Sequence, residues 1–333
     1  MNLKEILKLN RNHLSDSSLN TYSSNIRRLL KSTDKKYESV EDIEKNFDII
    51  FDKLMENPYN IRKTKMSAVI VLLDEKENNT PKRVKMLERL RDVLFEDASK
   101  YNKREVSQSL SETQRVNFIT WNEVLKTYKL LETQARPLWK LPTLKKSNYN
   151  TLTEYVLLSC YCLIPPRRAL DYAMFKIKEI DPDKSNYMFV EKQNKKTKAF
   201  FIFNSYKNSS RLGSQKIPIP NKLKNIIKKW SKIQQSEYLI STFNQKKITQ
   251  VKINQIINRI FNKKIGPSLL RHIFVTNEYK DVDLKKMKTT TTMMGNSEIE
   301  RTLKYSVKDH QPTEPSTEPS TEPSTEPSTE PSK

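Results

Sequence analysis

Glycine stands at only three of the 333 positions, Gly213, Gly266 and Gly295. It is the residue that lets a backbone take positive φ or pass close to a phosphate. Three scattered positions build neither a phosphate-cradling loop nor a glycine-rich dinucleotide fingerprint. P-loop and dinucleotide-binding folds are therefore excluded, and any phosphate chemistry must run without them.

The charge asks for phosphate nonetheless. Lys and Arg number 61 against 39 Asp and Glu, a formal balance of +22. The segment from Pro312 onward holds five of the acids and one lysine, so residues 1–311 alone carry +26. Such an excess repels itself in a compact state unless a polyanion neutralises it. Nucleic acid is the leading partner, since each neutralised phosphate releases counterions. An anionic membrane surface is the rival. No apolar run reaches 18 residues and the N-terminus lacks the apolar core of a signal peptide, so we expect no membrane span and a soluble, intracellular protein acting at DNA. Cys160 and Cys162 lie two apart in an apolar helical stretch, on different sides, which argues against a disulfide. With only three histidines, His13, His272 and His310, a zinc site is not expected. No cofactor is expected.

Apolar spacing gives mainly helices with a small sheet, an α+β class. Leu19, Tyr22, Ile26, Leu29 and Leu30 follow helical spacing after the polar start at Ser15. Further helices are expected near 41–56, 61–73 and 81–97. Residues 1–105 form one helical domain, and the polar stretch 106–118 reads as a linker. In the second domain, 119–311, a helix is expected at 121–133, then a basic, proline-interrupted loop at 134–150. Thr151 and Glu154 read as a capping box opening a helix at 152–163, which Pro165 and Pro166 end. Strands follow near 187–191, 199–205 and 215–219, then helices at 221–235, 250–262, 268–280 and 297–306. Residues 312–333 repeat Thr-Glu-Pro-Ser; with no apolar residue they cannot bury a core and are expected to be disordered, either a by-product of repeat expansion or an acidic shield.

Three stretches carry chemistry. In Leu163–Asp171, Arg168 precedes an acid, Asp171, by three positions. In Pro267–Thr276, Arg271 sits amid Leu269, Leu270 and Phe274, where a buried guanidinium needs an anionic partner. In Met294–Tyr305, a turn at Gly295 leads to a Ser297/Glu300 capping box and a short helix ending near Tyr305, with Ile299 and Leu303 on one face. Lys207 lies between two strand-like runs; Lys195, Lys196 and Lys198 form a rival turn one hairpin earlier. Two arginines can clamp the non-bridging oxygens of a phosphodiester, a tyrosine can attack it, and a lysine can protonate the leaving oxygen.

From about Leu14 to Tyr305 the chain resembles the tyrosine recombinase (phage integrase) family. Leu163–Asp171 resembles the family's first-arginine box, with Arg168 on the arginine and Arg167 off the spacing. Pro267–Thr276 resembles its His-x-Leu-Arg-His-x-Phe-Ala-Thr box, with Arg271 on the arginine. Tyr305 follows Asn296 by nine residues, the family's distance from histidine to nucleophile. The resemblance implies a helical core-binding domain at 1–105 and a catalytic domain at 119–311. It implies catalytic roles for Arg168, Lys207, Arg271 and Tyr305, with Ser268 and Asn296 where the family has histidines. Both replacements can hydrogen-bond a phosphate oxygen, yet neither is a base near neutral pH. His272 is expected to be a packed structural histidine, and Asp171 to orient Arg168 or cap its helix. The implied function is a site-specific recombinase or integrase forming a 3′-phosphotyrosyl bond on double-stranded DNA, as a homo-tetramer on two sites. A mobile element or large DNA virus is a natural home by analogy. Alternatives are a type IB topoisomerase or telomere resolvase, a non-catalytic DNA-binding descendant and, more weakly, a basic RNA scaffold.

Overall fold

The computed structural model describes residues 1–106, 110–193, 196–278 and 284–295. The chain divides into two compact units, Met1–Ser107 and Gln108–Lys333.

The first unit is helical: α1 (Leu3–Asn10), α2 (Asp16–Lys31), α3 (Val40–Lys45), α4 (Phe47–Met55), α5 (Tyr59–Leu73) and α6 (Pro81–Val106). Ser15 starts α2 by accepting from the Ser18 amide. The single helix expected at 41–56 is two, separated at Asn46, whose side chain donates to Asp42 O at 2.8 Å at the end of α3, while a Ser39/Asp42 capping box starts α3. The core gathers Leu7, Ile26, Leu29, Ile43, Ile50, Leu54, Met66, Leu72 and Leu90. Asn10 ends α5 by donating to Val71 O and Leu72 O at 2.9 and 3.0 Å.

Buried Asp74 ties this unit together. It accepts from Arg11 at 2.6 Å, Arg91 at 2.9 Å and Asn79 at 3.0 Å. Burial pushes its carboxyl up, but the bonds from Asn79, the Lys76 amide and Arg11 outweigh that and hold it below its ordinary value. A depressed acid contributes stability above its unfolded pKa and loses it as pH falls through the folded one. Asp74→Ala therefore costs about 2 kcal/mol at neutral pH and less in acid. Urea titrations followed by helical circular dichroism at pH 7 and pH 3 check this; an equal loss at both values contradicts it.

The second unit holds α7 (Glu112–Asn117), α8 (Trp121–Leu138), α9 (Lys146–Cys162), α10 (Ala169–Ala173), β1 (Phe175–Lys176), β2 (Asn186–Gln193), β3 (Lys196–Phe203), α11 (Ser209–Leu212), β4 (Gln215–Ile219), α12 (Asn221–Ile233), α13 (Gln250–Phe261), α14 (Pro267–Glu278) and α15 (Leu284–Met293). The stretch read as linker contains α7, started by a Ser111/Gln114 capping box. The loop expected at 134–150 is mostly helical, α8 running on to Leu138 and α9 beginning at Lys146. Thr151 does not cap α9. Its hydroxyl donates to Ser147 O inside the helix, and Glu154 pairs with Arg259. Buried Tyr149 and Leu152 explain the earlier start: tertiary packing rewards the extra turn. The helix α15 was not foreseen, and the helix expected at 297–306 lies outside the described residues, as do the repeats at 312–333.

The sheet order is β1-β2-β3-β4, with β1 parallel to β2 and the other pairs antiparallel. Ala199, Phe201 and Phe203 alternate onto the buried face of β3. Phe175 meets Phe201 edge-on, ring centres 4.7 Å apart. Cys160 is buried and Cys162 half-buried, both as free thiols. Among the described residues no helix is long and apolar enough to cross a membrane.

Candidate active site

The site grows from the end of α9. Pro165 and Pro166 cannot continue that helix, and the chain passes in extended form into Arg168, the N-cap of α10. The two consecutive arginines part company here. Arg168 is half-buried, and its Nη1 donates to Gly295 O at 3.1 Å. Arg167, set aside on spacing, is fully buried. Its Nε donates to Asp171 Oδ2 at 2.8 Å, and its Nη1 to Gln215 Oε1 at 2.9 Å and Met293 O at 2.8 Å. Its guanidinium lies 3.8 Å from the Phe203 ring centre and 5.2 Å from that of Tyr206.

Asp171, expected to orient Arg168 or cap α10, instead forms a fully buried ion pair with Arg167. Arg167 precedes the Arg168 N-cap of α10, and its side chain reaches the first turn of that helix at Asp171. Burial pushes the Asp171 carboxyl up, while the charges of Arg167, Arg168 and Arg271 pull it back. Three arginines, two of them candidates from separate sequence blocks, thus act on one carboxylate. On α14, Arg271 is almost wholly buried, and its charge also reaches the buried Tyr161 hydroxyl. Ser268, one turn earlier, is exposed, and His272 is half-buried.

Lys207 is exposed in the connection between β3 and β4. That connection is pinned at both ends. Buried Asn186 accepts from the amides of Asn204 and Ser205 at 2.9 and 2.8 Å, and donates to Ser205 O at 2.7 Å and Asp171 O at 3.1 Å. Asn208 Nδ2 donates at 3.0 Å to Gly295 O, the same carbonyl that Arg168 holds. Lys207 is thereby one residue from the Arg168–Gly295 junction. The rival Lys198 lies within β3, paired with Glu191 in the ladder and away from that junction.

The chain reaches Gly295 at the end of α15 with φ of +68°. Asn296 and Tyr305 follow, outside the described residues. The structure therefore brings Arg168, Arg271 and the Lys207 connection to one locality and ends its description at the segment that leads to Tyr305. Sequence reading missed Arg167, Asn186, Asn208 and Gln215, none of which carries a local signal that sets it apart. The cavity of about 220 Å³ lined by Arg136, Trp139, Tyr155 and Lys229 includes none of the candidates. Among the described residues no cluster of His, Cys, Asp and Glu could hold a metal ion.

A mainly helical unit carrying a small mixed sheet, together with a separate helical unit, is the fold of the tyrosine recombinases. The XerH site-specific recombinase bound to difH substrate, a pre-cleavage complex, is similar over 91% of this chain and 80% of that one, with a TM-score of 0.53 and 14% identity. A lambda integrase(75-356) dimer bound to a COC′ core site is similar over 91% of this chain and 92% of that one, with a TM-score of 0.52 and 13% identity. At these identities the likeness is one of fold. No protein-family model matches the sequence, and no curated protein is similar to it.

Proposed function

We propose that this chain is a site-specific DNA recombinase that cuts and rejoins double-stranded DNA through a 3′-phosphotyrosyl bond. The observation that carries the reading is the junction at Gly295 O, where Arg168 and Asn208 meet with Lys207 one residue away, while the charges of Arg168 and Arg271 both reach the buried Asp171 carboxyl. Arg168 and Arg271 hold the non-bridging oxygens, permanently charged and capable of bidentate contact. The Tyr305 oxygen attacks phosphorus and the bond to the 5′ oxygen breaks. Lys207 gives that oxygen a proton, and the phenolic proton leaves to water. The new ester conserves the bond energy, so rejoining is the reverse attack by the 5′ hydroxyl. Ser268 and Asn296 hydrogen-bond the phosphate without acting as bases. Unit Met1–Ser107 serves as the core-binding module, and four protomers act on two sites within the cell. The neighbouring folds XerH and lambda integrase are seen bound to a difH substrate and a core site, which supports a DNA partner.

Covalent trapping tests this. The protein and its Tyr305→Phe variant are mixed with nicked suicide duplexes from the ends of the source element and run on denaturing gels. The wild type gives a DNA–protein adduct, and the variant binds equally but gives none. An adduct that persists in Tyr305→Phe removes the assigned nucleophile. Tight binding without adduct, in a pool containing the true site, favours a DNA-binding descendant that no longer cuts; the loss of both histidines, at Ser268 and Asn296, is what keeps that second reading in view. Relaxation of supercoiled circles lacking a specific site moves the assignment to a topoisomerase.

A further inference from the structure

We propose that Arg167 is a positioning residue that sets the geometry of the cutting site, an inference that rests on the recombinase reading. It touches several of the segments around the site. Its guanidinium joins α10 through Asp171, the start of β4 through Gln215 and the end of α15 through Met293 O. It lies against Phe203 at the end of β3 and Tyr206 beside Lys207. A buried charge is tolerated only when paired and hydrogen-bonded. Those bonds are directional, so they specify one arrangement of the three segments where an aliphatic side chain would accept many.

Gly295 supplies a second, independent observation. A Cβ built there would lie 2.8 Å from Arg167 Nη2. The chain thus turns directly across the guanidinium, and the turn's carbonyl receives both Arg168 and Asn208. Arg167 is the floor under that turn. From it the chain runs on to Asn296 and Tyr305, so tilting the floor displaces Arg168, Lys207 and the approach to the tyrosine together. Misplacement by about 1 Å costs about 100-fold in rate, whereas DNA affinity, dominated by phosphate contacts elsewhere, is little affected.

The test uses the full chain with Arg167→Met, which keeps an unbranched apolar stem and loses the charge and the bonds, together with Gly295→Ala and the double variant Arg167→Lys/Gly295→Ala. Single-turnover adduct formation is scaled to the folded fraction, beside DNA affinity and amide hydrogen exchange. We expect Arg167→Met to bind DNA within about threefold of wild type and form adduct about 100-fold more slowly. Exchange should quicken at Asn208–Gly213 and Thr290–Gly295 and stay unchanged in α9. The shorter lysine relieves the crowding, so the double variant outpaces Gly295→Ala alone. A wild-type adduct rate and wild-type exchange in Arg167→Met overturn the proposal, as does equal loss of affinity and rate. If Arg167→Met does not fold, the glycine pair decides: no relief in the double variant overturns it. Should the wild type form no adduct, the recombinase reading falls, and the exchange pattern alone still decides whether Arg167 sets this turn.

Discussion

On the proposed recombinase function, Arg271→Gln is expected to cut DNA about 10²–10³-fold more slowly than the wild type, with DNA affinity nearly unchanged. Arg271 is 2% exposed on α14, beside Leu269, Leu270 and Phe274. In such surroundings a charge aimed at a phosphate is screened far less than in water. In the proposed reaction it would act where negative charge is concentrated, so its removal is expected to fall on the chemical step. Glutamine keeps a neutral amide donor but is two bonds shorter and loses the charge and the paired fork. The substitution also removes one of three cations acting on Asp171, whose carboxyl then rises further. The measurement is single-turnover cleavage of a nicked duplex, with thermal unfolding run alongside to count folded protein. Wild-type cleavage by folded Arg271→Gln would remove this residue from the phosphate site. Arg271→Lys should fall between, since an ammonium keeps the charge without the fork.

Trp230→Ala destabilises unit Gln108–Lys333 by about 3–5 kcal/mol. The indole is fully buried between Trp139 and Tyr149, at centre distances of 6.4 and 5.2 Å. Its N–H donates to Leu239 O at 2.7 Å, securing the loop after α12. Truncation opens a cavity and strips that buried carbonyl of a donor, two separate losses. Trp230→Phe fills most of the space and pays mainly the second, about 1–3 kcal/mol. All three tryptophans, Trp121, Trp139 and Trp230, lie beyond residue 107. Fluorescence during urea unfolding therefore reports this unit, and two tryptophans remain in either variant. A shift under 1 kcal/mol for Trp230→Ala, by extrapolation to zero urea, would show the cage to be looser than its packing implies.

How much of this was legible beforehand depended on how local the cause was. Arg168, Lys207 and Arg271 could be picked out because each stands in a short stretch whose neighbours constrain it. The three main strands were placed within a few residues, since β-branched and aromatic runs mark them. The start of α9 was misread because Ser/Thr-x-x-Glu is a frequent pattern, and the burial of Tyr149 and Leu152 outweighed it. The split between Arg167 and Arg168 was invisible for a deeper reason. Adjacent arginines have nearly the same local context; what separates them is Phe203, Tyr206, Gln215 and Met293, 36 to 126 positions away. Asn186 is likewise unremarkable in sequence, and its four bonds exist only once β2 lies beside the Lys207 connection.

The outer strand of the sheet has one more implication. Among the described residues β4 pairs with β3 alone, so its other side is an edge. Pro218 interrupts it with a residue lacking an amide hydrogen, and half-exposed Lys216 adds a charge beside it. Such edges resist capture by a foreign strand. Copies of this protein held at high local concentration are thus kept from zipping their sheets into a fibre through β4.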